Sequence, residues 1–308
     1  MSLHCDPPLA RALTSLDGLS TGDALGQLLS ARARSARRII EQEGLPSGRW
    51  WHTDDTQMGM AVVEELSANG GIRPESLAKR FVRRFRADPG RGYGKGARMQ
   101  LEQIAGGTEW RVSATGAFGG HGSMGNGSAM RVAPLGAWFA DDMGALVEQA
   151  RLSAMVTHCH PEGLAGGIAV AVVAGVAWNT KGQPLAEARS QMWDAVLRLT
   201  PEGETRQGLR KAAAVPPEMA PELAARLLGS GFLVTAPDTV PFALWCAARH
   251  LDNYREALTS TLEGDGDCDT NCAIVGGIVA LRTGREGIPL GWLMAREPLD
   301  LELVHDHP

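Results

Sequence analysis

Gly264-Asp265-Gly266-Asp267-Cys268-Asp269-Thr270, followed after Asn271-Cys272 by Ala273-Ile274-Val275-Gly276-Gly277-Ile278-Val279-Ala280, decides how this chain is read. Three carboxylates alternate and a hydroxyl closes the set. The apolar, glycine-rich run beyond them reads as a packed helix that begins beside the acids. Crowded carboxylates repel, so the cluster is costly unless something positive occupies it. Hard divalent cations such as Mg²⁺ and Ca²⁺ take oxygen ligands of this kind.

A second acidic stretch lies about two hundred residues earlier, in Trp50-Trp51-His52-Thr53-Asp54-Asp55-Thr56-Gln57-Met58, again followed by helix-like sequence from Gly59 to Leu66. If folding joins the two, Thr53, Asp54 and Asp55 with Asp267, Asp269 and Thr270 could hold two metal ions a few ångströms apart. Helix capping is the competing reading. Asp is a favoured N-cap, acids are stabilised near a helix N-terminus, and Asp54 with Gln57 resembles a capping box. One cap does not need three alternating acids. A calcium loop fails by position. Counting from Asp265, place six needs Gly and holds Thr270, and place twelve needs Glu and holds Gly276.

The chain has 308 residues, enough for a large core, with no Pro-, Ser- or charge-rich linker to divide it. We read residues 1–308 as a single domain. Hydrophobic residues make up 44% and the net charge is −5, which argues against a strongly basic nucleic-acid surface. The arginines of 32–38 and 80–86 read as solvated helix faces, with an anionic substrate as the lesser alternative. Five cysteines, Cys5, Cys159, Cys246, Cys268 and Cys272, include no CxxC pair, and the sequence shows no secretory segment. This points to reduced thiols in a cytoplasmic protein without structural zinc. The sixteen residues from Gly163 to Trp178 fall short of the roughly twenty that span a bilayer, so a buried core helix is expected rather than a membrane segment.

Helical periodicity dominates, over 75–87, 144–156, 162–179, 185–199, 219–229, 239–250, 252–262 and 270–282. Alternating β-branched strands are scarce. The fold class expected is all-α, a compact single-domain multi-helix bundle. Gly90–Gly96 lacks the spacing and the Ser or Thr after Lys95 that a P-loop requires. Gly119–Gly127 can present backbone N–H groups to a phosphate, or can simply be a turn between helices.

Five blocks in order resemble the ADP-ribosylglycohydrolases, a family that includes the dinitrogenase reductase-activating glycohydrolases. They are Gly22-Asp23-Ala24-Leu25-Gly26, Thr53-Asp54-Asp55-Thr56, Gly92-Tyr93-Gly94-Lys95-Gly96, Gly122-Ser123-Met124-Gly125-Asn126-Gly127-Ser128-Ala129-Met130-Arg131 with Thr157-His158, and Asp267-Cys268-Asp269-Thr270. The resemblance runs from about Gly18 to Gly284. It implies an all-helical domain with a binuclear Mg²⁺ site (Mn²⁺ being the alternative) on Thr53, Asp54, Asp55, Asp267, Asp269 and Thr270. It implies an ADP-ribose cleft lined by Gly92, Tyr93, Gly94, Ser123, Met124, Gly125, Asn126 and His158. Met124 stands where an aromatic residue often packs on the ligand. Asp23 is read as structural, and Asp54 or Asp55 as acceptor of the water proton.

The expected activity is hydrolysis of ADP-ribose from a modified protein side chain or small conjugate by a monomer. A non-catalytic ADP-ribose-binding module and a hydrolase of another N-glycoside are the alternatives. One departure matters. Many members of the family carry Glu seven residues after the Asp of the first block, and Ser30 stands there. Glu41, Glu43 and Asp265 are the acids that could replace it.

Overall fold

The computed structural model describes residues 7–304, apart from the side chain of Glu43; Cys5 lies outside the described residues. The helices are α1 (Pro7–Leu29), α2 (Ala36–Arg38), α3 (Asp54–Asn69), α4 (Pro74–Ala87), α5 (Lys95–Ala105), α6 (Trp110–Gly120), α7 (Ala133–Trp138), α8 (Met143–Met155), α9 (Pro161–Asn179), α10 (Leu185–Leu199), α11 (Glu204–Ala214), α12 (Pro221–Leu228), α13 (Ala236–Arg249), α14 (Tyr254–Glu263), α15 (Cys268–Thr283) and α16 (Leu290–Ala295). The all-α expectation holds: among the described residues the only β pairings are two isolated bridges, Trp50 with Arg296 and Gly125 with Thr235. The helices read from periodicity are present, with ends that differ by up to three residues.

Helix α1 was not announced by its pattern, because it is buried on most sides and shows little amphipathic contrast. It crosses α15 antiparallel at backbone distance. A Cβ at Gly18 would sit 2.3 Å from the Gly276 carbonyl oxygen, one at Gly22 2.1 Å from that of Cys272, and one at Gly26 2.4 Å from that of Cys268. Glycines four apart stand on one helix face, so this stripe lets two helices touch backbone to backbone. The contact sets Asp23, the residue after Gly22, beside the first turn of α15.

Helix α9 is long and apolar enough by length and composition to cross a membrane, yet most of it is buried inside the bundle. It packs among α7, α8, α10, α13 and α15 as the core helix.

The arginines of α4 correct the reading of a solvated face. Glu64 and Glu65 of α3 are fully buried, and α4 supplies their counter-ions. Arg80 holds Glu65 at 2.8 Å, while Arg83 and Arg84 both pair with Glu64. Buried carboxylates need such partners, so these cations serve the α3–α4 seam. The segment after α16 adds a strap. Leu299, Leu301 and Leu303 pack on a core of Leu16, Leu19, Met60 and Val63, and the alternating Asp300 and Glu302 pair with Arg84 and Arg83.

Gly22→Ala places a methyl into a carbonyl that cannot yield, an overpacking cost of about 1–3 kcal/mol. The thermal midpoint, followed by circular dichroism, falls by several degrees. Gly116→Ala, at a helical glycine with nothing within 4 Å, leaves it unchanged or raises it.

Candidate functional site

The N-terminus of α3 is built around Asp23. This carboxylate is wholly buried and accepts four hydrogen bonds: from the Thr53 and Thr56 N–H groups at 2.9 and 3.1 Å, and from their hydroxyls at 2.9 and 2.5 Å. An anion at a helix N-terminus satisfies free N–H groups and meets the positive end of the dipole. Thr53 is also the N-cap, accepting from the Asp55 N–H. Its Oγ1 lies 3.0 Å from Asp55 Oδ2 and 2.9 Å from Asp23 Oδ1, so its single proton serves one carboxylate at a time.

Both acidic stretches therefore cap helices and also converge. Asp23 of α1, Asp55 of α3 and Asp269 of α15 each place a carboxylate oxygen within 4.8 Å of the others. Asp55 Oδ1 is buried without a hydrogen-bond partner. Burial and the neighbouring acids push four carboxyls upward: Asp23 to about 7 through burial, then Asp269; Asp54 to about 8 through burial, then Asp23 and Asp269; Asp267 to about 7 through burial, then Asp269. Asp55 rises well above its ordinary value for the same reasons. An all-oxygen donor set with an orphaned buried oxygen and uncompensated charge fits a hard divalent cation.

The reading of Asp23 as structural is thus incomplete, since the same carboxylate that organises α3 joins the acids. The glycine stripe was the available signal. A glycine every fourth residue around Asp23 marks a close helix crossing. Asp267 and Asp269 are half-buried, and Cys268 between them turns into the core. Thr270 is buried, with its N–H on Asp269 Oδ1 at 3.0 Å.

The remaining residues named from the sequence surround this cluster in different ways. Asn126 donates its amide to Asp267 at 2.7 Å and stands 3.0 Å from Thr239 Oγ1, so that nitrogen holds an acid in place. Ser123 Oγ accepts the Gly125 N–H at 3.2 Å, and the Met124 carbonyl accepts the Ala236 N–H at 2.9 Å; together they shape the glycine loop and tie it to α13. Gly92 passes the Asp54 carboxylate, Gly94 precedes α5, and Tyr93 is buried edge-on to Phe85 with its hydroxyl unpartnered.

His158 closes a relay. Arg131, fully buried, donates to Thr157 Oγ1 at 2.9 Å, and Thr157 Oγ1 lies 2.7 Å from His158 Nδ1. Arginine only donates, so Thr157 Oγ1 accepts from Arg131 and keeps its remaining capacity for Nδ1. Burial, then Arg131, lowers the His158 pKa to about 3, which leaves a neutral ring whose other nitrogen is Nε2. That nitrogen faces Gly125 and Gly127, where an added Cβ would stand 3.2 and 3.1 Å away.

Sequence reasoning missed Phe118. It is 60% exposed, its ring reaches Gly96, and its φ of 52° lies in the left-handed region that a Phe rarely adopts. Of the acids offered in place of the family's Glu, Glu41 and Asp265 are not in the cluster, and the side chain of Glu43 lies outside what the structure describes. Ser30 is exposed and bonds its own helix, Glu41 pairs with Arg37 at 2.9 Å, and Asp265 pairs with Arg34 at 3.0 Å. A pocket of about 590 Å³ lies elsewhere, at the far end of α15; its Arg282 is engaged by Asp252 and the Thr180 and Gln183 carbonyls, and it gathers no reactive groups.

The chain is similar to proteins with this arrangement of sequence and fold. ADP-ribosylhydrolase ARH3 of Homo sapiens is 26% identical over 336 residues, covering 94% of this chain and 90% of that protein. ADP-ribosyl-[dinitrogen reductase] glycohydrolase of Rhodospirillum rubrum is 24% identical over 299 residues, covering 92% of this chain and 89% of that protein. A solved structure described as an ADP-ribosylglycohydrolase-related protein complex superposes with a TM-score of 0.69 at 26% identity, covering 94% of this chain and 93% of the other. Since residues 5–306 match the family described as ADP-ribosylglycohydrolase, the chain belongs to the ADP-ribosylglycohydrolase family.

Proposed function

We propose that this chain is a metal-dependent hydrolase that removes ADP-ribose from a modified protein side chain or small conjugate, with two Mg²⁺ ions, or Mn²⁺ in their place, at the acidic cluster. The observation that carries the reading is the meeting of Asp23, Asp55 and Asp269 from three helices, with one buried oxygen unpartnered. Thr53, Asp54, Asp55, Asp267, Asp269 and Thr270 would hold the metal, with Asp23 beside them. Bound there, a divalent cation supplies positive charge that fixes ribose hydroxyls and makes a water more acidic.

The chain's own groups do the rest. Asp54, beside the metal, would accept the proton of the attacking water. The water oxygen bonds to the anomeric carbon as the bond to the acceptor breaks, and the acceptor leaves with a proton. The transition state has oxocarbenium character. His158 Nε2 and the glycine loop Gly122–Gly127, whose Gly122, Gly125 and Asn126 N–H groups are already engaged within the protein, would line the pyrophosphate, supplying binding energy away from the reacting bond. Phe118 offers the adenine a stacking face that Met124 lacks. Ser30 in place of Glu favours a second reading, a non-catalytic ADP-ribose-binding module, against which the complete acid cluster weighs.

Release of free ADP-ribose from Arg-linked and Ser-linked ADP-ribosylated proteins decides between the two. Mg²⁺-dependent release from either, abolished by EDTA, is expected. Asp55→Ala lowers it by at least about a hundredfold while the helical signal persists. Binding of ADP-ribose without release from any linkage establishes the module instead. Phe118→Ala weakens ADP-ribose binding in calorimetry by about 5- to 150-fold, the range of about 1–3 kcal/mol for one base stacked on an aromatic ring.

Stability follows the raised carboxylates. The folded metal-free chain holds protons that the unfolded chain has lost, so its stability is greatest below the unfolded value of about 4 and falls as pH rises toward 8. The thermal midpoint without metal drops between pH 5 and pH 8. Saturating Mg²⁺ removes most of that slope.

A further inference from the structure

The loop before α3 carries His52 and Thr53 and leads into Asp54, the first residue of the helix. Its anchor is the segment that follows α16. The Trp50 N–H donates to the Ala295 carbonyl at 2.7 Å, and the Glu297 N–H to the Trp50 carbonyl at 2.9 Å. Glu297 is 5% exposed, and its Oε1 pairs with Arg91 Nη1 at 2.7 Å. The same Nη1 donates to the His52 carbonyl at 3.0 Å. The Arg91 carbonyl then accepts the Asp54 N–H at 2.8 Å, and Gly92 lies against the Asp54 carboxylate. His52 Nε2 stands 2.7 Å from Glu297 Oε1 but off the angle of a hydrogen bond, so we count it as a packed contact.

We infer that Glu297 is a positioning residue for the Asp54–Asp55 pair. It touches no substrate. It fixes Arg91, whose guanidinium holds the His52 carbonyl and whose own carbonyl holds the Asp54 N–H. One buried carboxylate thereby clamps the chain on both sides of Thr53, at the His52 carbonyl and the Asp54 N–H. Arg296 anchors the strap from the other side, pairing with Asp17 of α1 at 3.1 Å. The inference rests on the metal-site reading for its consequence and on geometry alone for its mechanics.

The test measures both in the full-length chain. Hydrogen exchange in Glu297→Ala is expected to quicken at least about tenfold over residues 50–58, with α9 as an unchanged internal reference. Mg²⁺ affinity, titrated in the presence of ADP-ribose, falls by about 10- to 100-fold, the usual effect of removing a group that orients a ligand. Glu297→Gln keeps an oxygen for Arg91 and recovers most of both losses. Unchanged exchange over 50–58 overturns the proposal, as does acceleration spread equally through α9. Quickened exchange with unaltered Mg²⁺ affinity overturns it too, because the clamp then positions nothing. If the wild-type chain binds no Mg²⁺ while Glu297→Ala loosens 50–58 selectively, the clamp stands and the metal reading falls.

Discussion

Gly18, Gly22 and Gly26 lie against the carbonyls of Gly276, Cys272 and Cys268, and the rest of the structure depends on this contact. Two helices separated by more than two hundred residues meet with no side chains between them. The geometry brings Asp23 to the start of α15, where Asp269 stands, and lets Asp23 reach across to cap α3. An ordinary side-chain-mediated packing, 8–10 Å between axes, would separate these acids. Close packing here is a requirement of the chemistry as well as a source of stability.

Around this contact the chain places like charges together. Asp23, Asp54, Asp55, Asp267 and Asp269 come from three helices and the residue before α15, and burial, then their repulsion, raises most of them toward neutrality. The arrangement survives because each acid is held from outside. Asp23 takes four donors from the α3 N-terminus, Asp267 takes the Asn126 amide, and Asp54 is fixed through Arg91. The protein has placed its constraint on backbone and amide donors, leaving Asp55 Oδ1 free for a ligand.

The same logic separates two kinds of arginine. Arg80, Arg83 and Arg84 neutralise Glu64 and Glu65 inside the α3–α4 seam, whereas Arg131 is fully buried and holds Thr157, whose hydroxyl lies against His158. Arg84 and Arg131 are buried and already engaged, so neither is available to an anionic partner from solvent. A net count of charge along the chain could not distinguish them, because burial and pairing decide what a cation does.

The sequence by itself determined the fold class and much of the site. The 3.6-residue pattern of the amphipathic helices, the alternating acids of 265–269 and the order of the five blocks are local features, written in neighbouring residues. What only the tertiary structure decided is non-local. Helix α1 has no polar face, so periodicity could not announce it. Asp23 reads as an ordinary helical acid until the glycine crossing brings it to Asp269. Phe118 gains its exposed, left-handed pose from the break in the last turns of α6, and Asn126 also supports Asp267. Glu297 acquires a role through Arg91, two hundred residues away. Such pairings depend on which backbones approach closely enough to share a hydrogen bond, and that is settled by packing in three dimensions rather than by residue type.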